Sequence, residues 1–138
     1  DDGVGSLRRA IACAMEGDTI LFDAGVIGQF ISLTTGAIPV NKSIHILQSG
    51  ATIVRVKANN NGPVFDLVSG DTELKYMALY GSDEAGKMGR ALINRDSLTL
   101  EYIDIYDQEP VEGSGASVVN YGTLQVKGTT RILVIATF

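Results

Sequence analysis

The 138-residue chain has no tryptophan, one cysteine, one histidine and three prolines. With Cys13 alone, neither an internal disulfide nor a cysteine-based zinc cluster can form. A single histidine, His45, removes His–His metal pairs. Lys and Arg total 11 against 16 Asp and Glu, for a net charge of -5. The basic excess of a nucleic-acid binder is therefore missing, and no nucleic-acid partner is expected. The longest apolar runs, such as Ile132–Ala136, fall far below the roughly 18 residues a membrane-spanning helix needs, so no membrane insertion is expected. Few prolines beside 16 glycines also argue against a disordered Pro/Gly-rich chain. What is present is 45% hydrophobic residues, enough for a core, at a length that predicts a single domain over 1–138.

Only one segment has helical periodicity. Ser6 is a suitable N-cap, and Leu7, Ala10, Ile11 and Ala14 recur on one helical face. Gly17 follows as a stop, so the helix is placed over about 7–16. Arg9 stands where a capping box would want Glu or Gln. From Thr19 onward, short runs rich in Val, Ile, Leu, Phe and Thr alternate with Gly, Asn, Asp and Ser. They predict strands at 19–22, 30–34, 43–47, 52–57, 64–68, 73–79, 91–93, 97–106, 117–119, 123–127 and 131–136. One helix cannot supply a repeated βαβ alternation.

An internal repeat organises these strands. Shifting Glu73–Tyr80 by 26 places it on Thr99–Tyr106, with apolar residues coinciding at 74/100, 77/103 and 79/105, and Tyr on Tyr at 76/102 and 80/106. The same shift brings Asn94 onto Asn120, Leu98 onto Leu124 and Leu100 onto Val126, while Ile46 reaches Leu74 by a shift of 28. A unit of this length, with two or three short strands and no helix, is one coil of a right-handed parallel β-helix. Each strand pairs with its equivalent one coil away, roughly 4.8 Å along the axis, and like side chains stack in columns. A coil cannot close its own core, so about four to five must stack. The apolar face of the helix is expected to close the N-terminal end of that stack, which would otherwise present unpaired edges. At the other end, 131–138 is an apolar strand-like stretch. It is expected to continue into further chain, to cover the end by itself, or to meet a partner chain, including a copy stacked end to end.

The opening Gly5-Ser6-Leu7-Arg8-Arg9-Ala10-Ile11, followed by Gly17-Asp18-Thr19-Ile20-Leu21-Phe22-Asp23, resembles the CSLREA-type N-terminal segment of secreted bacterial β-helix proteins. Ile31–Gly36, Asn41–Ile46, Val64-Phe65-Asp66 and the Asn94…Leu98-Thr99-Leu100 stretch are similar to that family and to polymorphic outer-membrane and adhesin-like β-helices. Gly5 stands where the family name has Cys, and Arg9 where it has Glu. The resemblance implies a secreted or cell-surface bacterial scaffold and carries no catalytic residues with it. No signal peptide is present, and the start at Asp1 is read as a processed or trimmed beginning, which fits export.

Candidate binding residues come from the repeat. Tyr76, Tyr80, Tyr102 and Tyr106 form two pairs one coil apart, readable as a packed aromatic stack at a corner or as a ring platform for sugars. The loops at 81–89, with Asp83, and after Tyr106, with Asp107, leave the same corner, where loops of a solenoid form a continuous surface. The reading is a non-catalytic module contacting glycans or a surface protein, with no cofactor and no metal. The acidic stretch 104–112 matches no Ca²⁺ loop and is read as solvated. His45, between inward-facing Ile44 and Ile46, is read as an outward strand residue without an acid–base partner. Cys13 is read as a partly buried residue or a free thiol. The alternatives are a carbohydrate-active enzyme fragment and a self-associating structural unit. For the enzyme, a carboxylate pair would come from Asp66, Asp71, Asp96 and Asp104, with Asp96–Arg95 or Asp104–Arg131 as charged partners.

Overall fold

A computed structural model describes residues 1–50, 52–58, 62–82, 90–106, 117–132 and 135–137, the last three by backbone alone. Among the described residues, one α-helix, α1 (Leu7–Cys13), precedes thirteen strands. They are β1 (Thr19–Leu21), β2 (Phe30–Ser32), β3 (Ile38–Val40), β4 (Ile44–Leu47), β5 (Val54–Lys57), β6 (Phe65–Leu67), β7 (Asp71–Tyr80), β8 (Leu92–Asn94), β9 (Ser97–Tyr106), β10 (Val118–Asn120), β11 (Thr123–Lys127), β12 (Arg131–Ile132) and β13 (Ile135–Thr137). All pair in parallel, and they wind into a β-solenoid of about four turns. Three columns of strands form its walls. The first stacks β1, β4, the leading halves of β7 and β9, and β11. The second stacks β2, β5, the trailing halves of β7 and β9, and β12. The third stacks β3, β6, β8, β10 and β13.

The register is the one the repeat predicts. Ile20, Ile46, Leu74, Leu100 and Val126 lie in one column. Met77 pairs with Ile103, Leu79 with Ile105, and Leu98 with Leu124. Strand alternation turns these residues inward, and Ile46, Leu74, Met77, Leu79 and Leu100 are fully buried. Each such aliphatic side chain withdrawn from water is worth about 1.5–3 kcal/mol. Val126, in the last layer, is still 45% exposed.

Polar ladders run beside the apolar columns. Asn94 Nδ2 donates to Asn120 Oδ1 at 2.7 Å and to the Thr123 carbonyl at 2.9 Å, while Asn120 Nδ2 donates to the Gly122 carbonyl at 3.0 Å. Both asparagines are buried, and their amides satisfy backbone groups exposed where the chain turns from the third wall into the first. The turn at Gly122 admits no side chain. A Cβ there would lie 2.0 Å from the Asp96 carbonyl oxygen of the coil below.

Leu7 and Ile11 are buried in the core at the N-terminal end, with Ala14 packed against it and Ala10 only half-buried. Ser6 caps α1 as expected, its hydroxyl accepting from the Arg9 N–H. The helix ends at Cys13, three residues before the predicted limit, because Ala14 is already extended (ψ 145°). Gly17 is left-handed but lies in the following turn. The free carbonyls of the helix end are met from the next coil instead, by Lys42 Nζ at 3.1 Å from Ile11 O and 2.8 Å from Ala14 O.

β3 is a strand the sequence reading omits. Pro39 at its centre argues against a strand, but β3 is the edge of the third wall. Ile38 N donates inward to Val64 O, so the following Pro nitrogen faces the open edge, where no donor is needed. Among the described residues, no helix is long and apolar enough to cross a membrane.

Candidate functional site

The second wall and the corner before it carry two tyrosine stacks. The first and second walls meet at a corner where Tyr76 and Tyr102 adopt left-handed backbone, with φ of 56° and 53°. The bend breaks the strand alternation: Leu74 and Met77 both point inward although three apart, and Tyr76 is turned to the outside. The same holds for Leu100, Tyr102 and Ile103. A left-handed tyrosine costs roughly 1 kcal/mol relative to a right-handed one, so each ring must recover that through its contacts. The two rings stack at 4.9 Å with planes 4° apart. Above Tyr102, Gly128 takes the same left-handed conformation, and a Cβ on it would lie 2.9 Å from the ring. The backbone thus closes over the upper face of this stack.

A second stack stands at the far side of the wall. Tyr80 and Tyr106 lie 4.8 Å apart with planes 16° from parallel, and Phe30 meets Tyr80 edge-on at 5.0 Å. The rings are therefore spent largely on one another rather than laid open as a platform. What they present outward is edges and hydroxyls, with Tyr102 38% and Tyr106 42% exposed. Burial, reinforced by Tyr106 and Asp104 against the opposing effect of Arg55, raises the pKa of Tyr80, so its hydroxyl stays a donor at neutral pH.

Between the stacks the outward positions of the wall are largely covered, Ala78 being 3% and Asp104 8% exposed. Ala78 and Asp104 are its outward residues in the third and fourth layers, in register with Arg55 below and Arg131 above. Arg131 grips Asp104 with two bonds, Nε–Oδ1 at 2.8 Å and a terminal nitrogen to Oδ2 at 2.7 Å. This pairing raises the Arg131 pKa, so the guanidinium stays charged at any ordinary pH. Two adjoining depressions share the pair. One, of about 430 Å³, is lined by Ile53, Tyr76, Tyr102, Asp104, Thr129 and Arg131. The other, of about 470 Å³, is bordered by Tyr106, Ile105 and Ile132 beside the same Asp104 and Arg131. A hollow of similar size, about 450 Å³, lies against α1, but its cations are already engaged: Arg8 with Asp1 and Lys42 with the helix end.

The structure thus brings Tyr76, Tyr80, Tyr102 and Tyr106 onto one face. Asp83 and Asp107 lie outside the described residues. The points where their loops leave and return are in register: Gly81 N bonds Tyr106 O, and Ala91 N bonds Ser117 O. The residues that complete the face and were missed in the sequence are Phe30, Arg55, Lys57 and Ala78. Arg131 was considered only as a partner of Asp104.

Several other expectations are corrected. His45 faces outward but has an acid partner, Glu73 Oε2, 2.9 Å from its Nδ1 one coil above. The 28-residue shift that aligns Ile46 with Leu74 also aligns these two. Arg95 does not pair with Asp96; its guanidinium reaches Asp66 at 2.9 Å, which raises the Arg95 pKa. Asp96 instead accepts from Gly70 N at 2.8 Å, and Asp71 from the Ser97 hydroxyl at 2.8 Å. All four carboxylates considered for hydrolysis are therefore bonded between coils. Cys13 is exposed with a free thiol. Among the described residues, no group of three or more His, Cys, Asp or Glu is arranged to hold a metal ion.

No family model, curated protein or solved structure matches the chain. Its class is defined by the fold alone: a parallel β-solenoid with an N-terminal helix across one end.

Proposed function

We propose that the protein is a non-catalytic β-helix module of a secreted or cell-surface protein, and that it contacts glycans through the second wall. The observation that carries this reading is the pair of tyrosine stacks flanking the trough at Asp104 and Arg131. Their rings repeat at 4.9 and 4.8 Å along the axis, the repeat of the solenoid itself. A sugar chain lying along the axis would meet the same hydroxyl edges in successive layers, with the Asp104–Arg131 pair available for hydrogen bonds at the trough's end. Tyrosine suits such a surface because it offers contact area and a polar tip at low conformational-entropy cost. The resemblance of the opening segment to secreted bacterial β-helices supports the location.

The test is a glycan array probed with the intact chain, followed by Tyr80→Ala and Tyr106→Ala. Binding to a defined set of glycans, lost in both variants while the far-ultraviolet circular dichroism is kept, is the expected result. An array on which the intact chain binds nothing overturns the reading. The enzyme alternative is less favoured because its four candidate carboxylates are already committed to inter-coil bonds. Release of reducing ends or unsaturated products from a polysaccharide panel, with or without Ca²⁺, would restore it. Head-to-tail self-association through 131–138 is less favoured because α1 lies across the end that a second copy would need. A dimer that becomes a monomer on deleting 131–138 would restore that reading.

A further inference from the structure

We propose that this wall selects glycans bearing a carboxylate or sulfate group, with Arg55 and Lys57 as the anion contacts; the inference rests on the glycan reading above. In β5, Val54 and Val56 are fully buried, so Arg55 and Lys57 project from the outer face. The register sets Arg55 beside Ala78 and Lys57 beside Tyr80, with Phe30 and Ser32 on the other side. Both cations thus adjoin the Phe30–Tyr80–Tyr106 stack, on the same wall as the trough.

Neither has a carboxylate partner among the described residues; Arg9, Lys42 and Lys127 share that state, but of these five cations only Arg55 and Lys57 stand on the second wall. In this acidic chain, Arg8 is paired with Asp1, Lys75 with Glu101, Arg95 with Asp66 and Arg131 with Asp104. The Arg55 guanidinium lies over the Phe30 ring, its carbon 5.7 Å from the centroid. The Lys57 ammonium has no hydrogen bond or ion pair among the described residues. Asp104, the acid of this wall among the described residues, is engaged by Arg131 through Nε and one terminal nitrogen. Ala78, between Arg55 and Asp104, has no side chain long enough to intervene.

The chemistry of the two residues fits an anionic sugar. A guanidinium lying over an aromatic ring keeps its in-plane donors free and partly oriented, and a planar two-oxygen acceptor such as a carboxylate can take two of them. Lys57 supplies a point charge in register with Tyr80, whose hydroxyl is itself a donor. A neutral sugar would use the same hydroxyl edges but leave both cations unanswered. Because both side chains reach solvent, their attraction should weaken with added salt.

The test compares oligomannuronate with its carboxyl-reduced form, and chondroitin sulfate with its desulfated form, by titration calorimetry on the intact chain. At least tenfold tighter binding of the charged member of either pair is expected, the first pair reporting on carboxylate and the second on sulfate. Arg55→Gln with Lys57→Gln should abolish that preference, whereas Lys127→Gln, on the first wall, should leave it in place. Equal affinities within both pairs would overturn the anion selection while leaving the glycan reading intact. Retention of the preference in the double variant, or its equal loss in Lys127→Gln, would overturn the assignment to Arg55 and Lys57. Silence from all four probes and from the array would overturn both.

Discussion

Replacing Asn94 with alanine probes the stacked architecture through a single buried amide. Asn94 is fully buried, and its Nδ2 serves Asn120 Oδ1 and the Thr123 carbonyl of the next coil. Its Oδ1 also accepts from Asp96 N at 3.3 Å. Alanine leaves these groups without the partner the amide supplied, in a turn with little room for water. A buried polar atom that loses its partner costs about 1–3 kcal/mol. Allowing for partial relaxation, Asn94→Ala should destabilise the fold by about 2–4 kcal/mol, a large share of the ~5–15 kcal/mol typical of a domain. Urea unfolding followed by circular dichroism reads this as a lowered midpoint with an unchanged slope. The double-mutant cycle with Asn120→Ala should give a coupling of about 1 kcal/mol or more, since the two amides bond directly. A loss below about 0.5 kcal/mol for Asn94→Ala, or strict additivity in the cycle, would refute the ladder.

Gly122→Ala should destabilise by about 2 kcal/mol or more, because its methyl would fall against the Asp96 carbonyl and force two coils apart; a neutral midpoint would contradict the close approach. At Tyr76, glycine should be tolerated better than alanine by roughly 1 kcal/mol, since both lose the ring stack but only glycine is relieved of left-handed strain; thermal unfolding of the two variants decides. The Glu16 carboxylate accepts from Ser43 N, and hydrogen bonds from Ser43 hold its pKa below the usual range. A depressed folded-state pKa gives stability that is present above the unfolded-state pKa and is lost as the pH falls through the folded one. Glu16→Gln should therefore cost stability near about pH 7 and little near about pH 3, measured by urea unfolding at both; a constant difference would contradict this.

The repeat was legible because the columns hold like residues: Leu74 on Leu100, Asn94 on Asn120, Tyr80 on Tyr106. Stacking selects side chains by the company they keep one coil away, and a fixed shift exposes that in a single sequence. The first wall keeps that shift well. The second does not, because the corner loops before it differ in length, so Arg55 meets Ala78 and Phe30 meets Arg55 at offsets no single period reveals. That is why half of the candidate face went unseen. The outward turn of Tyr76 and Tyr102 was hidden for a different reason. Simple alternation keeps them on the side of Leu74 and Leu100, and only a left-handed bend, rare for tyrosine, reverses them. β3 was obscured by Pro39, which is harmless only because its strand lies at an edge. The end of α1 was overrun because apolar spacing continues to Ala14, although the backbone has already left the helix.

Methyl–methyl nuclear Overhauser contacts test the stacking of the coils most directly. Cross-peaks linking Leu100 to both Leu74 and Val126, residues far apart in the chain and adjacent only in a wound stack, are the expected result. Their absence, with Leu100 instead contacting methyl groups near it in sequence, would contradict the fold and the binding face built on it.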